Sequence, residues 1–115
     1  MKPLENNWKQ KTLETLEKDT WQESAFDSQL IRKTTALRKI PLASFSVEDL
    51  RIIIGQHMSL DYLIPLALEK LAENLLAEGD YYKGDLLKSV QSVPVEFWDN
   101  NPDLLQQFII VSNKY

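Results

Sequence analysis

The longest helical pattern in the chain is an apolar segment near its middle, and it constrains the fold more than any other feature. From Leu60 to about Glu78, apolar residues recur at helical spacing. In the first half of the segment they fall on nearly every face of the predicted helix, and in the second half they fall on one face only. A helix that is apolar all round has to be buried. The sequence therefore predicts a central apolar helix with other elements packed around it.

Helical spacing also dominates the rest of the chain, which contains only three glycines and five prolines. No Asn-Gly or Asp-Gly hairpin signal occurs. We predict helices over about residues 4–18, 29–40, 47–57, 59–78, 84–91 and 102–111, with a turn through Phe97 and Trp98. The expected fold is all-α, a compact single-domain bundle of six or seven short helices over residues 1–115. A terminal strand at residues 109–111 is the alternative, because that run is β-branched.

Capping residues support these boundaries. Ser46 followed by Asp49 resembles a capping box, and Ser59 is a suitable N-cap for the central helix. Gly79 stands where a left-handed residue would end that helix. Pro65 either kinks the helix or marks its true start, with residues 59–64 as a separate turn. Asp27 or Ser28 can cap the second helix, and Asn101 followed by Pro102 can open the last one.

The chain has no cysteine, which excludes disulfides, thiolate metal sites and cysteine nucleophiles and favours a reducing compartment. We expect a cytoplasmic protein, because no signal peptide is visible and charged residues interrupt the longest apolar stretch. Glycine-rich phosphate loops, paired zinc ligands and ordered Ser-His-Asp triads are missing as well. We therefore predict a protein without enzymatic activity and without a cofactor or metal.

Charge is distributed unevenly along the chain, whose net charge is −4. Residues 1–39 carry a balance of +2, whereas residues 46–103 contain eleven acidic and four basic residues, a balance of −7. Because phosphate binding requires clustered Lys and Arg, this acidic part disfavours nucleic acid as a direct ligand. It favours a basic protein partner, whose approach it would accelerate. The basic pairs at residues 32–33 and 38–39 are expected on a solvated face, with a weak nucleic-acid patch as the alternative.

The single histidine, His57, is the one candidate for acid–base catalysis. It precedes Asp61 by four residues, a spacing that could orient an imidazole. Catalysis would also need a nucleophile and an oxyanion donor, and Ser59 is already explained as a cap. The preferred interpretation is a partly buried histidine or one at a helix C-terminus, where the helix dipole favours its side chain.

The segment from Glu78 to Asp85 is the most unusual stretch, with three carboxylates, two tyrosines and two glycines in eight residues. One interpretation is a loop for a hard cation such as Ca²⁺, although the EF-hand pattern is absent. A second is a protein-binding edge, in which tyrosines supply contact area and acids pair with basic residues. A third is a structural turn in which Gly79 ends a helix, one tyrosine packs inward and Asp85 begins the next helix.

Large aromatic side chains are expected mainly in the core, because exposing such rings is costly. These residues are Trp8, Trp21, Trp98, Phe26, Phe45 and Phe97.

From Trp21 onward the sequence resembles the immunity proteins of contact-dependent growth inhibition (CDI) systems of Gram-negative bacteria. Several blocks in fixed order carry the resemblance, which covers about three quarters of the chain and leaves residues 1–20 and about the last dozen residues outside. They are residues 26–30 (FDSQL), 36–39 (ALRK), 41–42 (PL), 47–51 (VEDLR), 54–56 (IGQ), 60–67 (LDYLIPLA), 77–87 (AEGDYYKGDLL) and 97–98 (FW).

The resemblance implies a helical cytoplasmic protein that binds and neutralises the C-terminal toxin domain of a large effector, often a basic nuclease. It brings no catalytic residues. We predict that an acidic surface with a tyrosine anchor binds the toxin, without direct contact to nucleic acid or membrane. Its residues would be Glu69, Glu73, Glu78, Asp80, Tyr81, Tyr82 and Asp85. The alternatives are a small enzyme or metal-dependent hydrolase that uses His57 or the loop from Glu78 to Asp85, and an acidic adaptor.

Overall fold

The computed structural model describes residue 4, residues 6–24 and residues 27–113. These residues form seven α-helices and two 3-10 turns, and among them the only β-structure is one isolated bridge. The predicted all-α fold class is confirmed. By its internal contacts the chain divides into two units, Lys2–Phe45 and Ser46–Tyr115. A single domain over residues 1–115 stays a prediction.

The described residues of the unit Lys2–Phe45 form two short helices and two 3-10 turns. They are the turn Trp8–Gln10, helix α1 (Leu13–Glu17), helix α2 (Gln29–Leu37) and the turn Leu42–Ser44. The expected continuous helix over residues 4–18 is wrong, since the chain extends at Lys11 and Thr12 and the Thr12 hydroxyl caps α1 instead. The predicted cap of α2 is confirmed, because the Ser28 hydroxyl accepts a hydrogen bond from the amide of Ile31.

The expected solvated basic face is wrong for Arg38, because only 2 % of this residue is exposed. Its Nη1 donates to the Glu17 carboxylate at 2.5 Å and its Nη2 donates to the Asp19 carbonyl at 2.7 Å. The guanidinium also lies 4.9 Å from the centre of the Trp21 ring. Arg38 therefore connects the end of α2 to the segment that follows α1, while Arg32, Lys33 and Lys39 are exposed as expected.

The described residues of the unit Ser46–Tyr115 form five helices, and one of these helices contacts three others. The helices are α3 (Val47–Gly55), α4 (Leu60–Glu73), α5 (Asp85–Gln91), α6 (Val95–Asn100) and α7 (Pro102–Ser112). Helix α4 packs against α3, α5 and α7. Its side chains Leu63, Ile64, Ala67 and Leu71 are fully buried. The predicted central helix is confirmed within this unit.

The helix boundaries partly follow the sequence signals. The capping box at the start of α3 is confirmed, with Ser46 and Asp49 bonded reciprocally. Pro65 lies inside α4, so residues 59–64 do not form a separate turn. Ser59 occupies the N-cap position, but with a left-handed φ of 54° and without a side-chain capping bond. Helix α4 ends at Glu73 rather than Glu78.

The C-terminal part differs from the expectations in two places. Residues 95–100 form helix α6 rather than a turn, and residues 109–111 belong to α7, so the terminal strand is wrong. Asn101 and Pro102 do begin the last helix. Trp98 is buried and stacks on Phe108 with ring centroids 5.3 Å apart.

The other aromatic rings divide between core and surface. Phe45 is buried, whereas Trp8, Trp21 and Phe97 are only partly buried. Phe26 lies outside the described residues.

Candidate functional site

The segment from Glu78 to Asp85 connects α4 to α5 as a closed loop. An isolated antiparallel bridge joins Glu78 to Lys83, and the amide of Gly84 donates to the carbonyl of Leu76 at 3.2 Å. Gly84 has a φ of +89°, a left-handed conformation that glycine adopts without strain. The left-handed residue predicted at Gly79 is therefore found at Gly84, directly before α5. We call residues 78–85 the acidic loop.

Asp85 holds the acidic loop from inside. Its side chain is 3 % exposed. One carboxylate oxygen accepts from the amide of Gly79 at 2.7 Å, and the other accepts from the amides of Tyr81 and Tyr82 at 3.1 and 3.4 Å. Burial alone would raise the pKa of Asp85, but these backbone hydrogen bonds and the charge of Arg51 outweigh burial and lower it. Asp85 is thus an ionised internal brace for the loop backbone.

Two side chains from helix α3 hold the loop from the other side. The Glu48 carboxylate accepts from Nε and Nη2 of Arg51 at 2.6 and 2.5 Å, a bidentate pair, and from the amide of Asp80 at 2.9 Å. The hydrogen bond from Arg51 is the main reason that the pKa of Glu48 is lowered, and the same bond raises the pKa of Arg51. Arg51 Nε also lies 3.8 Å from the Asp85 carboxylate.

Gly79 gives these two carboxylates room to approach the backbone. A Cβ atom at this position would lie 2.4 Å from Oε1 of Glu48 and 3.0 Å from Oδ2 of Asp85. Any side chain larger than hydrogen would therefore displace at least one carboxylate. The need for glycine here is steric, and it does not come from the end of a helix.

Both tyrosines of the acidic loop are exposed, so the inward tyrosine of the structural-turn interpretation is wrong. Tyr81 is 72 % exposed and Tyr82 is 51 % exposed. The Tyr81 ring lies over the Arg51 guanidinium, 4.3 Å from its central carbon to the ring centre. A guanidinium on the face of an aromatic ring is attractive and restricts its motion. Tyr81 is therefore a largely exposed ring that is held by Arg51 and by the hydrogen-bonded backbone of the acidic loop.

The seven residues predicted to bind a partner are found in three different situations. Glu78, Asp80, Tyr81 and Tyr82 are exposed on the acidic loop, whereas Asp85 is buried beneath it. Glu69 lies beside a groove between α4 and α7. Glu73 is the exposed last residue of α4.

Sequence reasoning missed Glu48 and Arg51. Their spacing of three residues on a predicted helix was a signal for a local ion pair. Nothing in the sequence connected that pair to a loop about thirty residues further along the chain.

His57 lies just beyond the end of α3, exposed, with a left-handed φ of 58°. Within the described residues its only polar side-chain contact is Ser92, whose Oγ is 3.4 Å from Nε2. The Ser92 hydroxyl donates its proton to the Ser89 carbonyl at 2.6 Å. That proton is therefore not directed at His57, as an activated nucleophile would require.

No group of three or more His, Asp or Glu side chains in the described part of the chain is arranged to hold a metal ion. No helix in that part is both long enough and apolar enough to cross a membrane.

Comparison with known protein families identifies the chain. The sequence pattern of the CDI immunity proteins matches residues 15–108, from α1 through most of α7. The chain belongs to the family of CDI immunity proteins. The match includes helix α3, the acidic loop and the central helix of this immunity protein. No curated protein and no solved structure matches it. Membership in the family supports an immunity role and implies that the protein binds a cognate CDI toxin.

Proposed function

We propose that this immunity protein neutralises its toxin by binding it through the exposed part of the acidic loop, with Tyr81 as the anchor. The observation that carries the proposal is the Tyr81 ring, which is 72 % exposed and yet rests on Arg51. Interface anchors are commonly aromatic rings that lose little conformational freedom on binding. Tyr81 has this property, because the loop backbone beneath it is held by Asp85 and Glu48.

We further propose that the toxin presents a basic surface and is a nuclease, and that the encounter takes place in the cytoplasm. Nucleases need basic residues to bind phosphate, so an acidic inhibitor is complementary to them. The acidic loop with Glu48 and Arg51 has a net charge of −2, and residues 46–103 as a whole carry −7. In this proposal the chain acts by binding alone, without catalysis.

The first test separates the two tyrosines. We expect Tyr81→Ala to weaken toxin binding about thirtyfold, mainly through faster dissociation, because a central aromatic anchor contributes about 2 kcal/mol. Tyr82→Ala is the matched control, since Tyr82 is also exposed but does not lie on Arg51 in the described contacts. Surface plasmon resonance with a catalytically inactive toxin domain measures both. Wild-type dissociation rates for Tyr81→Ala would rule out this anchor.

The second test concerns charge. We expect the double variant Glu78→Lys with Asp80→Lys to slow association about tenfold at low salt, with a smaller difference at 0.5 M salt. Asp85 is left intact because its reversal would place a cation in the buried brace. The matched control is Glu96→Lys with Asp99→Lys, which makes the same change in net charge on exposed residues of α6. Equal association rates for the two double variants would show that only overall charge matters.

A further inference from the structure

The groove between α4 and α7 is a concave surface of the unit Ser46–Tyr115 that combines apolar area with charge. Its volume is about 320 Å³. Its apolar floor consists of Pro65, Leu68, Ala72, Ile110 and Val111. Glu69 and Gln107 supply the polar side chains at its edge.

The floor of the groove combines buried and exposed side chains. Leu68 and Val111 are nearly buried, at 3 % and 8 % exposure, and give the groove a firm base. Ile110, in contrast, is 56 % exposed, the more exposed of two adjacent isoleucines on α7. An apolar surface of this kind, with polar groups along its edge, is typical of protein-binding sites.

The charge of the two helices decides which occupant fits. Helix α4 carries Asp61, Glu69 and Glu73 against Lys70, and α7 carries Asp103 with no basic residue. Together they have a net charge of −3. A second copy of this chain docked symmetrically would bring these acids towards each other, which disfavours a homodimer through the groove. A cationic partner is favoured instead.

The side chains that line the groove indicate which kind of side chain can occupy it. Lysine and arginine side chains lay their methylene groups on apolar surface and extend the charge to a polar edge. An apolar floor with one carboxylate at its edge provides both contacts. A purely apolar side chain could contact the floor but could not pair with the charge of Glu69.

We propose that the α4–α7 groove is a second docking surface for the toxin and receives one of its lysine or arginine side chains. The methylene groups of that side chain lie on Ile110 and its neighbours, and its charge pairs with Glu69. This inference rests on the proposed function, since it requires a basic toxin. It assigns Glu69 to a site separate from the acidic loop.

A matched pair of α7 variants tests the apolar floor. Ile110→Glu is compared with Ile109→Glu, because Ile109 is adjacent and 43 % exposed but does not line the groove. With the inactive toxin domain, we expect Ile110→Glu to lower affinity at least about tenfold and Ile109→Glu to change it less than about twofold. Circular dichroism checks that both variants fold. Equal affinities for the two variants would overturn the groove proposal.

A second pair tests the charge and does not disturb the core. Glu69→Gln is compared with Glu96→Gln, an exposed acid on α6. Of these two variants, we expect only Glu69→Gln to lower the affinity for the toxin, about fivefold at low salt and less at high salt. A double-mutant cycle with alanine substitutions at the toxin's Lys and Arg residues should find one residue coupled to Glu69. Loss of binding in Ile110→Glu without any effect of Glu69→Gln would rule out a basic occupant.

The outcomes separate this inference from the proposed function. If the wild type binds the toxin and both groove variants behave like their controls, the groove proposal fails while toxin binding through the acidic loop stands. If the wild type does not bind the toxin domain at all, the proposed function fails and the groove proposal fails with it.

Discussion

Arg38, in the unit Lys2–Phe45, and Arg51, in the unit Ser46–Tyr115, are held in similar ways. Each guanidinium pairs with a glutamate and lies over an aromatic ring, Trp21 for Arg38 and Tyr81 for Arg51. Their exposure differs, since the side chain of Arg38 is 3 % exposed and that of Arg51 is 18 % exposed.

The difference in burial gives the two arginines different consequences. Arg38 is so enclosed that its Nε has no hydrogen-bond partner among the described residues, a cost that the Glu17 and Asp19 contacts offset. Its position stabilises the fold locally, between α1 and α2. Arg51 lies at the surface and supports a ring that solvent reaches from the other side. The same two kinds of contact therefore stabilise the fold at Arg38, whereas at Arg51 they hold the exposed Tyr81 ring in place.

The largest expected effect tests the stabilising role of Arg38. Arg38→Ala removes the buried guanidinium that donates to the Glu17 carboxylate and to the Asp19 carbonyl, so we expect the free energy of unfolding to fall by about 3 kcal/mol. Urea denaturation measures the change. The control is Arg32→Ala on the exposed side of α2, for which we expect less than about 1 kcal/mol. If Arg38→Ala costs no more than Arg32→Ala, the contrast between the two arginines is lost.

An intermediate effect is expected from a substitution at Asp85, the buried carboxylate near Arg51 that holds the acidic loop. Asp85→Asn keeps the shape of the side chain but replaces one acceptor oxygen with a donor, so we expect a loss of about 2 kcal/mol in unfolding free energy. Urea denaturation at neutral pH is the measurement. Asp103→Asn is the control, since Asp103 also lies in the first turn of a helix but is exposed.

The same variant has a characteristic pH dependence. Because the pKa of Asp85 is lower in the folded chain, its contribution is complete above the unfolded pKa of about 4 and is lost as the pH falls towards the folded pKa. Glu48 contributes with the same sign. Wild-type stability should therefore decrease below about pH 4, and that of Asp85→Asn should decrease less. Parallel decreases would mean that Asp85 does not brace the loop by its charge.

The smallest expected effect is that of a methyl group at Gly79, where the Glu48 and Asp85 carboxylates approach the backbone closely. A methyl group at Gly79 has to displace the Glu48 carboxylate, which can move, so we expect Gly79→Ala to cost about 1 kcal/mol through weakened bonds to Asp80 and Arg51. Thermal unfolding measures it. Gly55→Ala is the control, because its nearest neighbour would be 3.9 Å from the new Cβ and a helix favours alanine. A cost for Gly55→Ala equal to that for Gly79→Ala would contradict the steric explanation.

Local patterns predicted much of the fold. The all-α class, the capping box at Ser46 and the start of α7 at Pro102 depend on residues within one or two helical turns of each other, which a sequence displays directly. The central helix followed from its apolar periodicity for the same reason. The end of that helix was misjudged, because Gly79 matches a helix stop in sequence but is required for space next to Glu48.

By itself, the sequence determined the helical class, most helix starts, the apolar centre of α4 and the acidic balance of residues 46–103. Only the tertiary structure decided that Asp85 is an internal brace, that Arg51 carries Tyr81, that Glu69 belongs to the α4–α7 groove and that Arg38 is buried. The physical reason is chain distance. Helix signals act over three or four residues. The contacts of Arg38, of Arg51 with Tyr81 and of Glu69 in the groove join residues about twenty to forty positions apart, and the short-range Asp85 brace closes a loop rather than a helical turn. Packing brings such residues together, and no local pattern encodes it.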